Sequence, residues 1–247
     1  SKDEHSEAFA EAIQGINTVI IDEVHMAKAD VLKRLLTGPF AHCGIRWGLT
    51  GTVPKADYEF MGLKCSIGDV THRIQASELQ DKGVLANCHV NVLQTQDHPM
   101  FKTYAEELKW LTTDKVRMAW VAKTIKDIST SGNTLILVDR ISAGQILQEQ
   151  LEDSVFVSGS TKNVDRKEQY DEVSTATNKI IIATYGVASV GINIPRIFNL
   201  VLIEPGKSFV RVIQSIGRGI RKAEDKENVQ IWDITSSCKF AKRHLGA

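Results

Sequence analysis

The sequence lacks the features that mark several large protein classes. No apolar run approaches the ~20 residues that cross a bilayer, and no signal peptide is visible. The 30 basic and 30 acidic residues give a formal net charge of zero. Overall charge therefore gives no indication of nucleic-acid binding, which must be argued from local groups. With 247 residues, 43% of them hydrophobic, the chain is long enough for one large globular domain or two small ones.

Cysteine is scarce, and its placement argues against a metal centre. No two cysteines have the close spacing of a zinc knuckle or a redox motif, and a tetrahedral site needs four well-spaced ligands. We therefore expect reduced, mostly buried thiols in a cytosolic, intracellular protein. The four cysteines are Cys43, Cys65, Cys88 and Cys238.

A glycine-rich phosphate-binding loop is also missing. The chain has one Gly-Lys-Ser tripeptide, Gly206–Ser208, but Val201 stands where such a loop has its first glycine, and Pro205 replaces a glycine-rich turn. We interpret the tripeptide as a turn in which Ser208 caps a helix. The chain begins without Met and stops in a basic stretch. We therefore expect a piece of a longer protein, with the phosphate-binding loop upstream.

What the sequence does have is an alternation of short apolar runs and amphipathic segments. Continuous apolar runs are typical of parallel strands buried on both faces, so the pattern predicts an α/β fold. The segment 141–151 and the segment 103–128, the latter with a break near Thr112, are predicted to be helical. The predicted strands are 19–21, 45–49, 135–138, 155–157, 180–183, 200–203 and 229–232.

The predicted strands fall into two groups, which indicate two lobes. The first group ends near Thr52, and the stretch from Pro54 to Gly83 shows no sustained periodicity. A turn and an alternating strand follow over 83–96. We place one domain at residues 1–85, including the connector, and a second domain at residues 86–247.

Two adjacent carboxylates, Asp22 and Glu23, follow the first predicted strand. Ligands of open α/β sheets bind beyond such strand ends. Asp22 could hold Mg²⁺, and Glu23 could polarise a water that attacks a phosphate. His25 could sense the nucleotide. The alternative is a solvated acidic turn.

Small hydroxyl residues close the second predicted strand. Thr50, Gly51 and Thr52 could bridge the acidic segment to a facing lobe, although an ordinary strand-end turn explains the same residues.

Three polar residues near the C-terminus have helical spacing. Gln214, Arg218 and Arg221 lie at i, i+4 and i+7, so in a helix they share one face. Guanidinium groups bind polyphosphate oxygens in pairs, and an arginine donated across a cleft accelerates phosphoryl transfer. A solvated basic face is the alternative.

A stretch rich in glycine and hydroxyl groups begins at the end of the predicted strand 180–183. We interpret residues 184–193 as a loop whose backbone N–H and hydroxyl groups could meet a phosphate backbone on one side and a nucleotide ribose on the other.

In their order and spacing these segments resemble the superfamily-2 helicases. The stretches 104–109, 183–187 and 214–218 resemble, within that superfamily, the phage UvsW-like group. Residues 22–25 resemble motif II, 49–52 motif III, 184–193 motif V and 214–221 motif VI, while 135–140 falls where motif IV lies. The resemblance implies two RecA-like lobes with parallel sheets, the first lobe incomplete, in an ATP-dependent DNA helicase or translocase that remodels forks, Holliday junctions and R-loops.

The resemblance also implies partners and roles. The cofactors would be ATP and Mg²⁺, and the partner would be DNA, branched or partly single-stranded. The sequence does not reveal the oligomeric state, and a monomer is favoured. A duplex translocase, an RNA helicase and a truncated nucleic-acid-binding protein remain alternatives. The implied catalytic residues are Asp22 (also the metal ligand), Glu23, His25, Gln214, Arg218 and Arg221; the nucleotide-binding residues are Gly191, Asn193, Arg218 and Arg221; the coupling residues are Thr50, Gly51 and Thr52; and the DNA-binding residues are Arg140, Thr184 and Gly186.

Overall fold

In the computed structural model, the described residues are 8–26, 29–51, 53, 57–159, 176–191, 196–204 and 228–245. The chain divides into two compact units, and the division falls between Arg73 and Ile74. We call them the N-terminal unit and the C-terminal unit. The domain boundary expected between residues 85 and 86 remains a prediction.

The N-terminal unit contains a small parallel sheet. Residues 8–12 are helical, and a single 3-10 turn spans Val24–Met26. In the sheet Ile21 lies opposite Gly48. The remaining elements are β1 (Thr18–Ile21), α1 (Ala29–Thr37), β2 (Ile45–Gly48) and α2 (Asp57–Ile67).

The apolar cluster of this unit lies on one side of the sheet. Val24, Leu32 and Leu36 form its buried centre, and Val19 and Ile21 pack against them. The side chain of Ile20 points the other way, because successive strand residues face opposite sides, and 57% of this residue is exposed. The expectation that the run 19–21 is buried on both faces is therefore wrong for the described residues.

The C-terminal unit is built on a six-stranded sheet in which every described pairing is parallel. The spatial order is β3-β8-β7-β4-β6-β5. All carboxyl ends of the strands therefore lie at one edge of the sheet. The strands are β3 (Asn87–Thr95), β4 (Thr134–Val138), β5 (Ser154–Val157), β6 (Ile180–Thr184), β7 (Asn199–Leu202) and β8 (Asn228–Ser236).

Six helices of this unit are described, and local capping explains the boundary between two of them. The side chain of Asp114 accepts a hydrogen bond from the backbone N of Arg117, so Asp114 caps the second helix where the first one ends. This confirms the break expected near Thr112. The helices are α3 (Ala76–Asp81), α4 (Tyr104–Thr113), α5 (Lys115–Ser129), α6 (Ile141–Gln150), α7 (Tyr185–Gly191) and α8 (Lys239–Leu245).

Helices cover both faces of the six-stranded sheet. Leu135 and Leu137 of β4 belong to a core cluster that includes residues of α7. Ile136 and Val138 belong to a second cluster, with residues of α5 and α6. Every residue of β4 is buried. The prediction of an α/β fold with parallel strands buried on both faces is confirmed for this unit.

Several local expectations need correction. The stretch from Pro54 to Gly83 contains α2 and α3, which are short helices without a sustained apolar stripe, so periodicity did not reveal them. The segment 185–191, expected to be a loop, forms α7. The thiols are free, but Cys65 and Cys88 are exposed, so "mostly buried" is wrong. Among the described helices, none is long and apolar enough to cross a membrane.

Candidate functional site

The carboxyl ends of β1 and β2 are joined by backbone hydrogen bonds. The N–H of Leu49 donates to the carbonyl of Ile21 over 2.8 Å, and the N–H of Val24 donates to the carbonyl of Leu49 over 3.0 Å. These two bonds continue the sheet beyond its last paired residues. They hold the acidic segment that follows β1 beside the threonine that follows β2.

Both carboxylates of the acidic segment face solvent. Oδ1 of Asp22 accepts a hydrogen bond of 2.8 Å from the N–H of Glu23, and 48% of the Glu23 side chain is exposed. Glu23 has φ of +48°, in the left-handed region that residues with a Cβ rarely adopt. Such strain amounts to about 1–3 kcal/mol and clusters at functional sites.

The acidic segment suits a hydrated magnesium ion. Mg²⁺ usually keeps several waters and takes one or two carboxylates. Within the described ranges, no group of three or more His, Cys, Asp or Glu residues could hold a metal by itself. Asp22 and Glu23 therefore fit an ion that receives its other oxygens from water and a phosphate, and they do not form a complete protein cage.

His25 links the acidic segment to the end of β2. Its Nδ1 lies 2.6 Å from Oγ1 of Thr50 and 3.4 Å from Oε2 of Glu23. Only 7% of the imidazole side chain is exposed. Its Nε2 is buried and has no hydrogen-bond partner among the described residues. The ring thus contacts a carboxylate and a hydroxyl through one nitrogen, and the other nitrogen is left for a further group.

Close packing under this contact depends on Gly48. A Cβ at Gly48 would lie 3.1 Å from Cγ1 of Val24 and 3.1 Å from Cδ1 of Ile67. Val24, which lies between Glu23 and His25 in the sequence, is buried. A glycine at the end of β2 therefore lets the acidic segment approach the strand.

A second set of predicted site residues lies at the carboxyl edge of the six-stranded sheet. β4 and β6 are neighbours, with Val138 opposite Thr184. Arg140 is the N-cap residue of α6, and Thr184 ends β6. Gly186 is exposed, and a Cβ there would meet nothing within 4 Å. The topology thus brings Arg140, Thr184 and Gly186 to adjacent strand ends.

A buried carboxyl group lies at the same edge and was missed by sequence reasoning. Glu204 follows β7 and is 4% exposed. Its Oε1 accepts a hydrogen bond of 3.4 Å from the N–H of Arg140, while its Oε2 has no partner among the described residues. Burial raises the pKa of Glu204 to about 7, although backbone hydrogen bonds from Arg140 and Asp139 oppose that rise.

A buried ion pair lies beyond β3 and β8 and was also missed. Nη1 of Arg117 donates to Oγ1 of Thr95 over 2.7 Å and lies 3.4 Å from Oδ2 of Asp97. Oδ2 of Asp97 also accepts a hydrogen bond of 2.7 Å from Oγ of Ser236. Residues 97 and 117 are 20 positions apart, so no local pattern announces the pair.

Several predicted site residues lie outside the described part of the chain. Gly191 is the last residue of α7, and its position is described. Gly51 is exposed, and a Cβ there would meet nothing within 4 Å. The residues outside the described ranges are Thr52, Asn193, Gln214, Arg218 and Arg221, together with the tripeptide 206–208.

Comparison with known proteins gives this geometry a family context. Residues 117–223 match the helicase conserved C-terminal domain. Over 227 residues the chain is 26% identical to the ATP-dependent DNA helicase uvsW of Enterobacteria phage T4, covering 87% of this chain and 45% of that protein. The chain is therefore similar to helicases over most of its length. The resemblance drawn from the sequence motifs is thereby confirmed.

Solved structures of other proteins share the fold. The crystal structure of T4 UvsW matches with a TM-score of 0.53 and 22% identity, over 94% of this chain and 48% of that one. A fragment structure of a putative HsdR subunit of a type I restriction enzyme from Vibrio vulnificus YJ016 matches with a TM-score of 0.70 and 20% identity, over 94% of this chain and 46% of that one. The chain spans less than half the length of the first curated relatives that it matches.

Proposed function

We propose that this chain supplies the acidic half and the second lobe of an ATP-driven DNA helicase or translocase. The observation that carries the proposal is the contact of 2.6 Å between Nδ1 of His25 and Oγ1 of Thr50, beside two exposed carboxylates. This arrangement suits a motor because one side chain, His25, touches both Glu23 and Thr50. Glu23 lies on the side proposed to face the nucleotide, and Thr50 lies at the end of the neighbouring strand. Residues 1–85 and 86–247 would be the two lobes.

Each residue of the acidic segment has a chemical task in this proposal. Asp22 would hold hydrated Mg²⁺, which would neutralise charge on the phosphates of ATP. Glu23 accepts a proton from the attacking water. His25 passes the state of the site to Thr50, with Gly51 and Thr52 extending the link. From the sequence motifs, we assign Arg218 and Arg221 to the γ-phosphate, and Gly191 and Asn193 to the nucleotide on its ribose side. Gln214 joins His25 in linking the state of the nucleotide to closure of the lobes.

The edge of the six-stranded sheet is the proposed DNA contact. Arg140 and Thr184 follow adjacent strands, and Gly186 leaves room for a backbone to come close. Phosphate contacts from arginine, hydroxyl and backbone N–H groups position a strand without reading its sequence. DNA, branched or partly single-stranded, is the proposed substrate because one of the similar proteins is a DNA helicase by name.

The proposal is tested by Glu23→Gln in the longest natural product of the gene. Loss of a general base lowers the rate about 10²–10⁴-fold. DNA-stimulated ATP hydrolysis should therefore fall by a factor in that range, while ATP binding is retained. The matched control is Glu152→Gln, an exposed glutamate that follows α6. Normal turnover in Glu23→Gln would overturn the assignment.

The substrate is tested separately by strand displacement. A forked DNA, the same fork made of RNA and a blunt DNA duplex distinguish a DNA helicase from an RNA helicase and a duplex translocase. We expect displacement on the DNA fork. ATP hydrolysis on the blunt duplex without displacement on any fork would replace the helicase by the translocase, and binding without hydrolysis would leave a non-catalytic binding protein.

A further inference from the structure

A pocket near the carboxyl ends of β3 and β8 is lined by two indole rings and a buried cation. Its volume is about 490 Å³, within the ~300–1,000 Å³ of small-ligand sites. Trp110 comes from α4, and Trp120 comes from α5. The full lining is Thr95, Gln96, Asp97, Trp110, Asp114, Val116, Arg117 and Trp120.

The aromatic side of this pocket is open to solvent. Trp120 is 42% exposed and Val116 is 81% exposed, and they lie four residues apart on one face of α5. Trp110 is half-buried and its ring packs against Phe101, with the ring centroids 5.6 Å apart. Apolar side chains that are exposed together at the rim of a pocket commonly mark a binding site.

The polar side of the pocket is built rather than incidental. The Arg117 side chain is only 4% exposed. Its Nε donates to the carbonyl of Leu111 over 3.2 Å, and its Nη1 donates to Thr95. Every hydrogen bond described for this guanidinium therefore leaves from Nε or Nη1. Arg117 is one of the residues that line the pocket, and its Nη2 makes none of the described bonds, so it is the donor that we assign to a ligand.

The chemistry of the lining favours a nucleobase over a phosphate. Asp97 and Asp114 also line the pocket, and their carboxylates repel a phosphate. A base is flat, stacks on an indole, and carries carbonyl or ring-nitrogen acceptors that suit a guanidinium donor. The phosphates attached to such a base would meet the amino group of Lys123, an exposed residue one helical turn beyond Trp120.

The position of the pocket connects it to the proposed DNA contact. Because the strands are parallel in the order β3-β8-β7-β4-β6, the pocket lies at the same edge as Arg140 and Thr184. Neighbouring strands are ~4.8 Å apart, so β3 lies about 14 Å from β4 and about 19 Å from β6. About six stacked nucleotides span the longer distance at ~3.4 Å each.

We propose that the pocket between Trp110 and Trp120 is a stacking subsite for an unpaired base of the strand bound at Arg140 and Thr184. This inference rests on the proposed function, since it needs a nucleic-acid strand at that edge. It assigns a task to the C-terminal unit beyond holding phosphates. A base held on an indole fixes the strand independently of its sequence, because every base has a flat face.

The test is the affinity of the 247-residue chain for a single-stranded oligothymidylate of about 12 nucleotides, measured by fluorescence anisotropy. Trp120→Ala should weaken binding roughly 5- to 100-fold, the range for loss of one stacked base. Trp120→Phe should retain most of the affinity, because a smaller ring still stacks. The control Trp47→Ala removes another exposed indole, in β2, and should leave the affinity unchanged.

A strand of the same length with abasic sites separates stacking from phosphate binding. The Trp120→Ala variant and the unaltered chain should bind the abasic strand equally well, because that strand has no base to stack on Trp120. Equal affinities of Trp120→Ala and the unaltered chain for oligothymidylate would overturn the subsite while leaving the proposed function intact. No binding of any strand by the unaltered chain would overturn both. An equal loss on both strands would make Trp120 a structural residue and would also overturn the subsite.

Discussion

Two glutamates occupy equivalent positions in the two units but have opposite environments. Glu23 comes two residues after β1, and Glu204 comes two residues after β7. The Glu23 side chain is 48% exposed, whereas Glu204 is 4% exposed. The strands before them differ in the same way, since β1 is half-buried at most and β7 is buried throughout. The contrast teaches that an apolar run followed by a carboxylate identifies the end of a strand in the sequence. It does not determine whether the carboxylate is buried or exposed.

The difference between the two strand environments is expected to have its largest effect on stability. Leu137 of β4 has no exposed surface, so Leu137→Ala should lower the free energy of unfolding by about 2–5 kcal/mol. The matched change Ile20→Ala, on the exposed side of β1, should alter it by no more than about 0.5 kcal/mol. Urea denaturation followed by circular dichroism measures both. If both variants lost the same free energy of unfolding, Ile20 would be buried in solution and the proposed difference between the two strands would be wrong.

The buried carboxyl group of Glu204 should make the stability of the protein depend on pH. Burial raises the pKa of Glu204 from 4.5 to about 7. Between those values the folded state binds the proton that the unfolded state releases, so stability falls as pH rises from about 4.5 to about 7 and is level above. At 1.36 kcal/mol for each pKa unit, the loss is about 3 kcal/mol.

Glu204→Gln should therefore be about as stable as the parent near pH 5 and up to about 3 kcal/mol more stable near pH 8. Denaturation midpoints at both pH values measure the difference. Glu23→Gln is the matched control at a solvent-facing position, and it should change stability by under about 0.5 kcal/mol at either pH. A parent whose stability is flat across this window would show that Glu204 ionises normally.

The smallest expected effect concerns the contact between His25 and Thr50. Thr50→Val keeps the shape of the side chain but removes the hydroxyl, and a hydrogen bond of this kind contributes about 0.5–1.5 kcal/mol. Local opening at the ends of β1 and β2 should become roughly fivefold more frequent. Amide hydrogen exchange of Val24 and Leu49, which bond across this edge, reports that opening. The same change at Thr103, the N-cap of α4, is a control that should leave those two amides unaffected.

Sequence reasoning was successful where the signal is local and repetitive. The runs in β4, β6 and β7 predicted parallel strands because those strands are apolar on both sides. It failed for α2, whose sequence contains Gly62 and no clear apolar stripe. The helix still forms, because Leu63 and Ile67 pack on the cluster around Leu36. Tertiary packing overrides weak propensity at such positions.

The candidate sites divide in the same way. Asp22, Glu23 and His25 are neighbours in the sequence, so a motif could name them, and Thr50 followed from its place at the end of the next strand. Glu204 reads as an ordinary polar residue after an apolar run, and its burial comes from strands and helices that are distant in the sequence. The pairing of Arg117 with Asp97 similarly depends on the folded sheet. Roles assigned to the motif residues remain predictions.

The placement of β3 beside β8 has a consequence for biosynthesis. The only described partner of β3 lies about 140 residues further along the chain. At a synthesis rate of ~5–20 residues per second, β3 waits roughly 7–30 s on the ribosome before its partner emerges. During that time an unpaired strand carrying Val90 and Val92 is available to other chains. β3 is the first strand of this unit to be synthesised and the last to find its partner. The yield of folded protein on expression should therefore depend on how quickly translation is completed.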